Sequence, residues 1–99
     1  MGNNTGDNAP TQGTLDSEAE ITLGLLNAVH ENSSITQRSA SHELGIALGL
    51  TNAYLKRCIK KGWIKVSQAP ANRYAYYLTP KGFSEKTRLT AEYLSSSFG

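Results

Sequence analysis

The sequence predicts a mainly α, α+β fold in which a two-stranded β-hairpin separates a three-helix group from a C-terminal helix. Three observations carry that expectation. Apolar residues recur at helical spacing through Ile21, Leu25 and Val29, and again through Leu48, Thr51, Leu55, Cys58 and Ile59. Gly45 and Gly62 punctuate residues 36–62, TQRSASHELGIALGLTNAYLKRCIKKG, where two short helices would end. Two β-rich segments, WIKVS and RYAYYLT, follow with a turn between them.

Each element has its own local signals. Helix 1 is expected to start near Ser17, because Ser17-x-x-Glu20 has the form of a capping box. Leu26 joins the Ile21, Leu25 and Val29 stripe, and Asn32-Ser33-Ser34 ends the helix. Helix 2 begins at Thr36, with Ile35 and Ala40 spaced as a hydrophobic staple, and closes at Leu44-Gly45. Helix 3 starts near Ala47 or Leu48 and runs to Lys61. Its last turn carries Lys60 and Lys61, which suit the negative end of the helix dipole.

The first strand is expected over Trp63 to Ser67, with Ile64 and Val66 on one face. Gln68-Ala69-Pro70-Ala71-Asn72 forms the turn, since proline cannot continue a ladder. The second strand is Arg73 to Leu78. Tyr74, Tyr76 and Leu78 alternate there against Ala75 and Tyr77, which places the first three toward a core. Thr79-Pro80 opens a last helix reaching about Ser96, with a capping hydroxyl followed by proline. Leu78 and Phe83 have the spacing of a second staple. Helix, turn, helix and then hairpin is the order of a winged helix-turn-helix, a fold that most often sets one helix in the major groove of DNA.

Composition bounds what the domain can be. Residues 1–14 hold one apolar side chain beyond Met1, Ala9, and are expected to form a disordered tail. That leaves residues 15–99 as one small domain with a thin core. A hydrophobic content of 38% leaves room for a partner chain to complete that core. No apolar run is long enough to span a membrane, and the N-terminus has no signal-peptide pattern. Gly6 breaks the myristoylation pattern. A lone cysteine, Cys58, excludes an internal disulfide and fits a reducing cytoplasm.

Charge is distributed unevenly. The net charge is +2, yet four of the eight acidic residues lie within the first 20 positions. Between Glu43 and Glu85 there is no acid, while Lys56, Arg57, Lys60, Lys61, Lys65, Arg73 and Lys81 fall in that interval. A one-signed stretch of this length suits a polyanion.

At this point the residues resemble a known family. QRSASHELGIALGLTNAYLKRCIKKGWIKV followed by YAYYLTPKG is similar to the short winged-helix regulators of the MarR type, and to their compact exopolysaccharide-associated subgroup in particular. The most specific pieces are Glu43-Leu44-Gly45-Ile46, Lys61-Gly62-Trp63-Ile64 and Tyr76-x-Leu78-Thr79-Pro80-Lys81-Gly82. The resemblance implies a dimeric, cytoplasmic transcription regulator that binds double-stranded DNA and pairs through its terminal helices. The chain departs from the family pattern at Ala40, Ser41 and Thr51, which bring smaller or more polar groups into the helix 2–helix 3 contact. It also has Asn72 where the family's wing arginine stands, with Arg73 one position later.

These readings nominate a binding surface. Helix 3 is the expected recognition helix, with Ala47, Gly49, Leu50, Asn52 and Ala53 toward base edges. Of these, Asn52 alone can pair bidentately with adenine, while Leu50 and Ala53 suit thymine methyl groups. Lys56 and Arg57 are placed for phosphates or a guanine edge. Gln37 and Arg38 open helix 2, where free N–H groups also attract phosphate. Lys65, Asn72 and Arg73 make up the wing set. Helix 1 and the C-terminal helix over residues 80–96 form the expected homodimer interface. The competing reading is a winged-helix module that binds protein instead of DNA. For Cys58, a packed core thiol competes with a redox switch activated by basic neighbours. No nucleophile elbow, phosphate loop or zinc spacing is present, so no enzyme activity, cofactor or metal is expected.

Overall fold

A computed structural model describes residues 16–70 and 73–98, with the side chains of residues 95–98 left aside. The elements follow as α1 (Ser17–Glu31), α2 (Gln37–Leu44), α3 (Leu48–Lys60), β1 (Ile64–Ala69), β2 (Arg73–Leu78) and α4 (Pro80–Phe98). The mainly helical winged architecture expected from the sequence is present. The expected tail over residues 1–14 lies outside the described residues, as does Asn72.

Local chemistry sets the helix boundaries. The Asp16 carboxylate accepts the Ala19 N–H at 2.8 Å and caps α1. The expected Ser17–Glu20 capping box is therefore displaced, because Ser17 is already the first helical residue. At α2 the Thr36 hydroxyl accepts the Ser39 N–H at 3.0 Å, and the Ser39 hydroxyl accepts the Thr36 N–H at 3.1 Å. Gly45 closes α2 in the left-handed region at φ 68°, a conformation that a side chain resists. The helix 3 stop moves one residue earlier than expected, with Lys61 as its C-cap.

The core joins Leu25, Leu26 and Val29 of α1 to Ile35, Ala40, Leu55, Cys58, Ile64, Tyr76 and Leu89. The polar departures from the family pattern cause no cross-helix conflict. The buried Thr51 hydroxyl donates to the Ala47 carbonyl at 3.0 Å, and the Ser41 hydroxyl donates to the Arg38 carbonyl at 2.7 Å. Both are satisfied within their own helices. Leu48 corrects the expected inward stripe. It sits in the first turn of α3, ahead of the level where the core begins, and is 45% exposed.

β1 and β2 pair antiparallel with Ile64 opposite Leu78, Val66 opposite Tyr76 and Gln68 opposite Tyr74. The first strand starts one residue later than expected and runs on to Ala69. The Tyr76 N–H donates to the Ser33 carbonyl at 3.0 Å, so the α1–α2 connection docks on the free edge of β2. Strand alternation misplaced two residues. Tyr74 lies near the hairpin tip, past the cover of the helices, and is exposed, whereas Ala75 is buried where β2 packs on the helical body. Val66 shares the Ile64 face but lies nearer the tip and is also exposed.

A backbone clasp joins the end of α3 to the start of α4. The Thr79 N–H donates to the Trp63 carbonyl at 3.0 Å. The Thr79 hydroxyl donates to the Gly62 carbonyl at 2.6 Å and accepts the Gly82 N–H at 2.9 Å. Gly82 is buried directly against Trp63, whose carbonyl carbon would lie 2.8 Å from any Cβ built there. Two motif pieces quoted above, around Gly62-Trp63 and Thr79-Pro80-Lys81-Gly82, are thus the two halves of one contact. Phe83, expected to staple onto Leu78, is half exposed and sets its ring edge-on to His30 at 5.7 Å between centroids.

Candidate nucleic-acid interface

The exposed surface of α3 begins with an apolar turn. Leu48 and Leu50 are 45% and 43% exposed, Gly49 and Ala53 are exposed beside them, and nothing crowds Gly49. No side chain caps this end of α3. Its N-terminal N–H groups therefore have no acceptor from a capping side chain, which leaves them available to an anionic oxygen.

The first turn of α3 borders a cleft of about 370 Å³. Ile35 from the α1–α2 connection, Gln37 and Arg38 from the start of α2, Leu48 from α3, and Arg73, Tyr74 and Tyr76 from β2 line it. A second, smaller depression of about 200 Å³ continues along α3 between Asn52, Lys56 and Ile59 on one side and Val66, Tyr74 and Tyr76 on the other, with Gln37 also in its lining. Among the described lining residues of both, none is acidic.

The sequence-nominated residues therefore divide. Gln37, Arg38, Asn52, Lys56 and Arg73 come together from three separate elements around these clefts. Asn52 is half-buried and turned toward the hairpin, while Gly49, Leu50 and Ala53 face outward. Lys65 is exposed on β1 opposite Tyr77, on the other face of the hairpin from Val66. Arg57 is not part of the group. Its guanidinium pairs with Glu18 of α1 at 3.5 Å and lies over the Tyr54 ring at 5.1 Å. Helical geometry explains this, since Arg57 sits one residue past Lys56 and so about 100° around the helix from it.

Sequence reasoning missed Leu48 and Tyr74 as surface residues, because helical and strand periodicity both assign them inward. The available signal was position, with one in the first turn of a helix and the other near a hairpin tip. Cys58 is fully buried on the inner face of α3. Burial pushes its thiol up from 9.0 to about 11, outweighing the opposing charge of Arg57. Burial thus disfavours the thiolate, and Cys58 packs as part of the core cluster.

No helix among the described residues is long and apolar enough to cross a membrane. No group of three or more His, Cys, Asp or Glu that would hold a metal occurs among them either.

Residues 18–65 match the family described as winged helix-turn-helix DNA-binding. No curated protein matches the sequence. Several solved structures share the fold. FabT from Streptococcus pneumoniae, determined in complex with DNA, is 22% identical with a TM-score of 0.62, over 78% of this chain and 55% of that one. MepR, a transcription regulator of the Staphylococcus aureus multidrug efflux pump MepA, is 23% identical with a TM-score of 0.66, over 80% and 58%. A MarR family protein from Mycobacterium tuberculosis, in complex with p-aminosalicylic acid, is 12% identical with a TM-score of 0.68, over 78% and 59%. The chain thus spans between 55% and 59% of the length of these three proteins.

Proposed function

We propose that this chain, a winged helix-turn-helix protein, is a DNA-binding transcription regulator of the MarR type, acting from the cytoplasm and repressing by occluding a promoter. Residues 15–99 are the DNA-binding unit, and α3 enters the major groove with the hairpin on the adjacent groove. One observation carries this reading: Arg38, Lys56 and Arg73, from α2, α3 and β2, converge beside the exposed front of α3 with no acid among them. Three cations from three elements offer contacts to the phosphate backbone, and such contacts fix register without reading sequence. FabT, a structural neighbour determined with DNA, supports the same use of the fold.

A salt titration of binding to mixed-sequence duplex tests it. Log K is expected to fall against log salt by about 0.9 per phosphate neutralised, hence with a slope of roughly −3 to −4 per chain if Arg38, Lys56, Lys65 and Arg73 each take one. A flat response would instead favour the protein-binding alternative.

The functional unit in this proposal is a homodimer built on α1 and α4. Phe83 and Leu94, three helical turns apart on one side of α4, are 50% and 49% exposed. Tyr93, with Ile21, Leu23, Leu44 and Ile46, lines a cleft of about 550 Å³ against α1. Unpartnered apolar surface on this scale suits a second copy. Light scattering at high micromolar concentration should return twice the chain mass, and a monomeric value would refute the stable dimer.

A further inference from the structure

We infer that the front of α3 recognises thymine by its 5-methyl group, through Leu48 and Leu50, so that the preferred DNA carries thymines where the first turn of α3 meets the major groove. The inference rests on the DNA-binding reading above. It starts from what the exposed turn lacks. Ala47, Leu48, Gly49 and Leu50 are all exposed and none bears a side-chain donor or acceptor. Asn52, the nearest residue able to read a base edge by hydrogen bonds, is half-buried and turned toward the hairpin. Direct readout by side chains at this turn therefore has one chemistry left to it, the burial of apolar surface.

Among the base-pair edges in the major groove, thymine alone of the four standard bases presents a methyl group. Leu50, 43% exposed, faces outward, and Leu48, 45% exposed, stands on the opposite side of the helix at the mouth of the cleft, so each has the area to cover the methyl group of a separate base pair. The occupant is fixed by charge complementarity. Arg38 and Arg73 line the cleft that Leu48 borders, and Lys56 lines the depression that continues along α3; these cations suit a phosphate backbone, whereas an apolar protein surface would leave them uncompensated. Gly49 and Ala53, small and exposed, let the helix backbone come close enough for the leucines to reach the groove floor.

The test compares two duplexes of the same length, alternating d(A-T) and alternating d(A-U), which differ by the thymine methyl groups. Binding is measured for the intact chain and for a Leu48→Ala, Leu50→Ala double variant. Both side chains are substantially exposed, so the variant should melt close to the parent. The intact chain should bind the thymine duplex more tightly by about four-fold for each methyl group covered. In the double variant the ratio should collapse toward one. Equal binding of the two duplexes by the intact chain would overturn the inference. So would a preference that survives unchanged in the double variant. Failure to bind either duplex at low salt would overturn the DNA-binding reading itself and the inference with it.

Discussion

Replacing Gly82 with alanine is expected to cost at least about 3 kcal/mol and to lower the thermal midpoint by roughly 15 °C or more. The added Cβ would meet the Trp63 carbonyl carbon at 2.8 Å and the Leu78 side chain at 2.9 Å. The carbonyl cannot move aside, because it already accepts the Thr79 N–H and lies next to the Gly62 carbonyl held by the Thr79 hydroxyl. A domain of this size has only about 5 kcal/mol to lose. The loss is therefore expected to leave much of the chain unfolded at moderate temperature. Circular dichroism melting measures it directly. A midpoint within a few degrees of the parent would show that α4 has room to shift, contrary to the close packing at Gly82.

Reversing Arg38 and Arg73 together to glutamate is expected to weaken duplex binding by roughly 100-fold at low salt and to reduce the salt slope by about 2. The two residues reach the same cleft from α2 and β2, so the double change converts its cationic walls to anionic ones. Both side chains are exposed, and melting should scarcely move. Arg57→Gln is the matched comparison. It removes a charge from the same helix as Lys56, but one that faces Glu18, and should change binding less than about three-fold. Electrophoretic or anisotropy titrations across salt concentrations distinguish the two sites. An equal loss from Arg57→Gln would mean that general positive charge matters and the cleft does not.

The contrast between Arg57 and Arg73 shows what the sequence disclosed of the site and what it withheld. That both are basic, within an acid-free interval, is plain from composition. That one is drawn to α1 by Glu18 depends on a contact between residues far apart in the chain. No local pattern reports such a contact. The fold was more legible, because its signals are local: Thr36 opens α2 with its hydroxyl, Gly45 closes it with a left-handed backbone, and Thr79-Pro80 opens α4. The same locality explains the errors. Periodicity states which way a side chain points, and the length of the neighbouring element decides whether anything covers it. Leu48 and Tyr74 point inward by count and lie beyond their cover. At α1 two acceptors lay side by side in sequence, and Asp16 took the capping role assigned to Ser17.

Charge and apolar surface around the front of α3 come from different segments, the cations Arg38, Lys56 and Arg73 from α2, the middle of α3 and β2, and the exposed leucines from the first turn of α3. The two act at different ranges and so at different moments of an encounter. Coulombic attraction extends about 10 Å at moderate ionic strength and is blind to sequence, so it governs arrival and lateral travel along the duplex. Apolar contact requires direct touch and governs departure. Salt would then tune chiefly how often this protein lands on DNA, and the bases beneath Leu48 and Leu50 how long it stays.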